Sequence, residues 1–161
     1  MIEFLKRLLF GRSDDVDMSD TLATLAEALA PADTKQDEIP EDVPSYFTDK
    51  ELKCKCGCNE VQMDETFMKM LNQARHLAGK PWKVNSAYRC AAHNAKVGGA
   101  KKSSHVAGCA VDIAAPTSSK KYEIISCALK VGFNRIGVGA TFVHLDNDTS
   151  AGHPSNVIWT Y

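Results

Sequence analysis

The sequence predicts a domain that mixes α-helices with β-strands, and three observations carry that expectation. Residues 64–77 and 119–131 repeat apolar side chains at helical spacing. Residues 109–115 and 141–145 alternate apolar with polar or small side chains, as strands do. Gly139 and Ala140 separate two short apolar runs in the manner of a hairpin turn. With 161 residues and 44% hydrophobic content, the chain can bury a single core with some length to spare.

Taken in order, the chain opens with two short helical patterns. Residues 2–10 place Phe4, Leu5, Leu8 and Leu9 on one face and Lys6 and Arg7 on another, an amphipathic stretch that suits a membrane surface, a partner or its own domain. Residues 20–30 repeat Leu22, Leu25, Ala26 and Leu29 behind a Ser19 or Asp20 cap, and Pro31 closes them. Between Pro31 and Pro44 the composition turns acidic and loses large apolar residues, as in a linker. The expected division is therefore a short helical N-terminal appendage with its linker over residues 1–44 and the main domain over 45–161. Within the latter, residues 64–77 form a helix through Phe67, Met68, Leu71, Ala74 and Arg75 that Gly79 ends. Residues 82–86 alternate like a strand, and residues 98–104 form a Gly, Ala, Lys and Ser loop leading to His105. A strand follows at 109–115, a helix at 119–131 stopped by Gly132, the hairpin at 135–138 and 141–145, and a closing strand at 157–161.

Charge and composition exclude several classes. Nineteen basic residues against twenty acidic ones leave no global positive field, so nucleic acid is not an expected partner. No stretch approaches the ~20 apolar residues of a membrane-spanning helix. The first residues lack the uninterrupted apolar core and small-residue cleavage site of a signal peptide. The six cysteines are even in number, but a chain this long and apolar needs no disulfide framework. A soluble monomer is expected.

Two segments present ligating side chains. After His105 at the end of its loop, period two turns Val111 and Ile113 one way and Asp112 the other. In the run Phe142-Val143-His144-Leu145-Asp146, the same period puts Phe142, His144 and Asp146 on the face opposite Val143 and Leu145. Two imidazoles and one carboxylate, with a fourth position open to water, form a catalytic zinc shell. Taken singly, each histidine is more often a hydrogen-bonded structural residue than a ligand.

Ser86-Ala87-Tyr88-Arg89, then Ser104-His105-Val106-Ala107-Gly108 with Ala110 and Asp112, then Phe142-Val143-His144-Leu145-Asp146 occur in the order that characterises the zinc D-alanyl-D-alanine carboxypeptidases. The chain resembles that family, which also includes phage endolysin peptidases and murein endopeptidases, over roughly residues 45–161. The resemblance implies an α+β domain with a central antiparallel sheet and helices packed on it. It also implies Zn2+ at His105, Asp112 and His144, and hydrolysis of peptide bonds in peptidoglycan stems or cross-bridges. Arg89 would face the substrate, with Ser104 beside it, and a guanidinium there binds a terminal carboxylate or polarises the scissile carbonyl. Its alternative is a salt bridge. A chain made in the cytoplasm would then act on the cell wall, as a phage lysin released through a holin does.

A proton acceptor is also needed. Some branches of the family carry a glutamate three residues before the last histidine, where this chain has Thr141. Asp146 is the candidate base, with orientation of His144 as its rival role; His153 is a further candidate. Cys54, Cys56 and Cys58, joined by Cys90, leave open a second, structural zinc ion, a disulfide or a loop of reduced thiols. Cys109 and Cys127 suit buried apolar positions. His76 sits near a helix end and His93 beside the Arg89 loop, neither as a ligand. Lys101 and Lys102 form a small basic rim or a solvated loop. Beside hydrolysis stand two other readings: an inactive zinc-stabilised binding domain, as the related hedgehog signalling domain exemplifies, and a cysteine-based adaptor built on residues 54–90.

Overall fold

The computed structural model describes residues 39–149 and 152–161. The two N-terminal helical patterns lie outside them. The compact unit runs from residue 39 to residue 161, and its first residues already touch a helix: Gln73 Nε2 donates to the Pro40 carbonyl at 3.0 Å. The elements are α1 (Asp49–Leu52), α2 (Glu65–Ala78), β1 (Val84–Ser86), α3 (Ala91–Lys96), β2 (Ala110–Ala114), α4 (Ser118–Lys130), β3 (Arg135–Val138), β4 (Phe142–Asp146) and β5 (Val157–Thr160).

Local chemistry sets the helix limits. Asp64 Oδ1 accepts from the Phe67 N–H at 2.8 Å to start α2, and Gly79, at φ 60°, ends it in the left-handed conformation that glycine adopts without strain. Thr117 Oγ1 caps α4 through the Lys120 N–H at 3.2 Å. In α1 the Glu51 carboxylate accepts from both the backbone N–H and the hydroxyl of Thr48, at 3.0 and 2.8 Å.

The five strands form one sheet in the order β1-β2-β4-β3-β5, giving an α+β fold. Four strands pair antiparallel, as expected, whereas β5 joins β3 in parallel and makes the sheet mixed. Asp146 at the end of β4 and Val157 at the start of β5 both lie opposite Arg135, so the last strand starts at the end where β4 stops and points with β3 rather than against it. The hairpin connection is also longer than a two-residue turn: Val138 pairs with Val143, and the Gly139 N–H donates to the Phe142 carbonyl at 3.0 Å.

One sheet face is the core face. Val111, Ile113, Ile136, Val143 and Leu145 are fully buried against α2 and α4, where Phe67 meets Phe133 edge-on at 5.7 Å between ring centroids. Each such side chain contributes about 1.5–3 kcal/mol of transfer free energy. Period two then fixes the opposite face, which carries Asp112, His144, Asp146 and Arg135.

Candidate metal centre and cleft

Cross-strand register assembles the site. Asp112 of β2 pairs with His144 of β4, His144 with Gly137 of β3, and Gly137 with Trp159 of β5, so one row of the sheet reads Asp112, His144, Gly137, Trp159. The next row places Asp146 opposite Arg135. His105 reaches the first row from its loop: its Nε2 lies 3.4 Å from Asp112 Oδ2, and its ring centroid lies 5.1 Å from that of His144. One ligand atom from each of His105, Asp112 and His144 falls within 4.8 Å of the others.

Hydrogen bonds decide which nitrogens face the centre. His105 Nδ1 lies 2.7 Å from the Ala87 carbonyl, which only accepts, so Nδ1 carries the proton and Nε2 presents its lone pair. His144 Nε2 lies 3.0 Å from Asp146 Oδ2 and donates to it, which aims the Nδ1 lone pair at Asp112 Oδ1, 2.8 Å away. Two lone pairs and a carboxylate converging in this way repel one another unless a cation or a proton lies among them. The donor set fits a zinc-type ion, with each imidazole fixed by a second partner as metal-bound histidines are.

The ionisation of the site follows. Burial pushes the Asp112 carboxyl up, but His105 and His144 outweigh it and hold it well below the usual carboxylate range. Burial lowers His144, while Asp112 and Asp146 together raise it above the ordinary imidazole value. Asp146, raised by burial, is brought down by His144 and Arg135. Both its oxygens have partners: Arg135 Nε donates to Oδ1 at 2.5 Å, the Asp148 N–H to Oδ1 at 3.1 Å, and His144 to Oδ2. Arg135 also donates to the Pro154 carbonyl.

The centre opens into a cleft of about 410 Å³, which Arg89, Ser104, Asp146 and His153 also line. Arg89 is held through its backbone N–H, 3.1 Å from the His105 carbonyl. Among the described residues no carboxylate pairs with its guanidinium, and its Nε is buried without a partner. Ser104 is buried and its carbonyl accepts from the Cys109 N–H. His153 Nε2 donates to the Lys102 carbonyl at 2.9 Å.

On this combination of fold, ligand row and cleft, comparison with protein families is decisive: the profile described as Peptidase M15 matches residues 45–146. The chain belongs to the peptidase M15 family. No curated protein matches it. Membership of M15 makes the chain one of the peptidases related to the zinc D-alanyl-D-alanine carboxypeptidases and endolysins, a metal-dependent group. Of the three residues that could hold a metal ion, strand alternation points to Asp112 and His144, and His105 comes from a loop. Among the described residues no helix is long and apolar enough to cross a membrane.

Other residues lie elsewhere. His76 Nδ1 is 2.7 Å from the Tyr46 hydroxyl at the far end of α2. His93 lies in α3, a helix too short to show a period, and its Nδ1 is buried without a hydrogen-bond partner among the described residues. Strand period puts Phe142 on the cleft face, but nothing in the local sequence points to Arg135 or to Trp159 and Tyr161, which complete an aromatic wall with Phe142. Trp159 sits 5.6 Å from His144, Phe142 sits 5.1 Å from Tyr161, and the Arg135 guanidinium lies 5.5 Å from the Trp159 ring. Gly137 is the signal: a Cβ there would come within 2.9 Å of Trp159 and 2.7 Å of Tyr161, so only glycine lets both rings lie across β3.

Proposed function

We propose that this M15 member is a zinc metallopeptidase that hydrolyses peptide bonds in the stem peptides or cross-bridges of peptidoglycan, acting at the cell wall. The observation that carries this reading is the convergence of His105 Nε2, His144 Nδ1 and the Asp112 carboxylate, with the far nitrogen of each imidazole committed to an acceptor. A zinc ion held there supplies Lewis acidity, polarising a carbonyl and acidifying water.

The remaining steps fall to the protein's own groups. Arg89, free of any carboxylate among the described residues, binds a substrate carboxylate or the carbonyl oxygen as negative charge develops. Ser104 lies beside it in the cleft wall. Asp146 gives three of its about four acceptor positions to Arg135, Asp148 and His144, which favours its orienting role over that of base. His153 suits proton transfer better: with Nε2–H given to Lys102, its Nδ1 keeps a basic lone pair at the cleft.

Muropeptides incubated with zinc-loaded and with chelated protein, then resolved by mass spectrometry, test the reading. Cleavage by the zinc form alone is expected, and the fragments identify the bond. Intact muropeptides in both arms would refute hydrolysis of peptidoglycan. That outcome is what a zinc-stabilised binding domain predicts, a second reading favoured by Thr141 and by the engagement of Asp146. Replacing His153 with Gln is expected to lower turnover while leaving zinc bound.

A further inference from the structure

We infer that Cys54, Cys56, Cys58 and Cys90 form a second metal site, a tetrathiolate that takes zinc and anchors the segment bearing Arg89. The four side chains come from two separate stretches of chain, a knuckle after α1 and the N-cap of α3. Their sulfurs nonetheless converge: Cys54 Sγ is 3.4 Å from Cys56 Sγ and 3.7 Å from Cys90 Sγ, Cys56 Sγ is 3.7 Å from Cys90 Sγ, and all four lie within 4.8 Å of one another. A tetrahedron with zinc–sulfur bonds of ~2.3 Å has edges of about 3.8 Å. None of these separations is a disulfide bond, and all six cysteines are free.

Apolar packing does not account for the convergence. Cys56 and Cys58 are exposed, and buried area cannot be what turns two surface thiols toward a shared centre. The backbone is shaped for it. Gly57 and Asn59 both adopt positive φ, at 93° and 61°, and the Cys54 N–H closes the knuckle onto the Glu60 carbonyl at 2.8 Å. Three sulfurs thus come from five residues, without the usual two-residue gap. Backbone donors compensate negative sulfur: the Cys90 N–H points to Cys54 Sγ and the His93 N–H to Cys90 Sγ, each at 3.4 Å. Soft thiolates in a tetrahedral set select zinc over the hard cations.

The position gives the site a purpose that is independent of the reaction proposed above. Cys90 directly follows Arg89, the Arg89 N–H is bound to the His105 carbonyl, and the Ala87 carbonyl fixes the His105 ring. Residues 87–90 are therefore fastened at one end by the thiolates and brace the cleft ligand at the other.

The test is the metal content and X-ray absorption of the full-length protein purified under reducing conditions. Two zinc ions per chain are expected, one with a shell of four sulfurs at ~2.3 Å. The double variant His105→Ala/His144→Ala should lose one zinc and keep the four-sulfur shell. Cys58→Ser should leave three sulfurs, and its cobalt-substituted form should shift its sulfur-to-metal charge-transfer bands. The inference is overturned if no metal with a sulfur shell is retained, if iron occupies the site, if all the thiols of the zinc-loaded protein react freely with a thiol reagent, or if the intact mass reveals a disulfide. Each of these is read on the wild-type chain, so a variant that fails to fold does not protect the idea.

Discussion

Asp146→Asn removes a charge from beside His144 while keeping its shape. The Asn carbonyl must stay with Arg135 Nε and the Asp148 N–H, because both are donors. Its amide N–H group then faces His144 Nε2, which in the wild type donates to Asp146 across 3.0 Å. Two donors cannot share that space. The imidazole responds by moving its proton to Nδ1, the nitrogen that points at Asp112, and the lone pair a metal needs disappears. Losing such an outer partner weakens metal binding about 10–100-fold, which corresponds to roughly 1.4–2.7 kcal/mol. Competition with a chromophoric chelator measures it, alongside turnover. Asp146→Asn should bind cleft zinc more weakly and regain turnover at high zinc concentration. Unchanged zinc affinity with turnover lost at every zinc concentration would refute the orienting role and make Asp146 the base.

Three further outcomes are expected. Arg89→Ala should lower kcat/KM on muropeptides about 10–100-fold, roughly 1.4–2.7 kcal/mol of binding, and leave the melting temperature nearly unchanged, since no carboxylate among the described residues depends on it; an equal loss of stability would point to a structural role. The raised pKa of His144 means that protonated His144 stabilises the metal-free fold, fully below the unfolded value of ~6.5 and progressively less as pH rises through the folded one. Zinc displaces that proton, so the melting-temperature gap between zinc-saturated and zinc-depleted protein should widen from pH 6 to pH 8, and a constant gap would contradict the assignment. Phe67→Ala empties a fully buried position against Phe133 and should cost about 3–5 kcal/mol in urea unfolding; a loss below ~1 kcal/mol would mean that α2 does not pack as described.

What could be read from the residues, and what could not, follows from the range of the forces involved. Helices α2 and α4 declare themselves because their apolar period extends over several turns, and strand alternation separates Asp112 and His144 from their core-facing neighbours residue by residue. Helices α1 and α3, with four and six residues, are too short for any period, although Thr48 and Glu51 carry a capping-box signal. Hairpin register was harder. A two-residue turn at Gly139-Ala140 would set Arg135 opposite His144, whereas the longer connection sets it opposite Asp146. The buried Arg135 and Asp146 pair, and with it the reason for the engagement of Asp146, depends on that difference of two positions. The parallel pairing of β5 is a non-local choice that no short segment encodes, so the aromatic wall it delivers was invisible as well.

Strand register also ties the candidate metal centre to the core. His144 lies between Val143 and Leu145, both fully buried. A slip of β4 by one residue would drive the imidazole into the apolar face and expose two core side chains, so burial of those side chains specifies the ligand's direction. The same row then demands a residue without a side chain at 137, since Trp159 of β5 reaches toward His144 across that gap. Apolar burial on one face of the sheet therefore orients Asp112 and His144 on the other, while Arg89, His153 and the aromatic rings of the last strand line the cleft's edges.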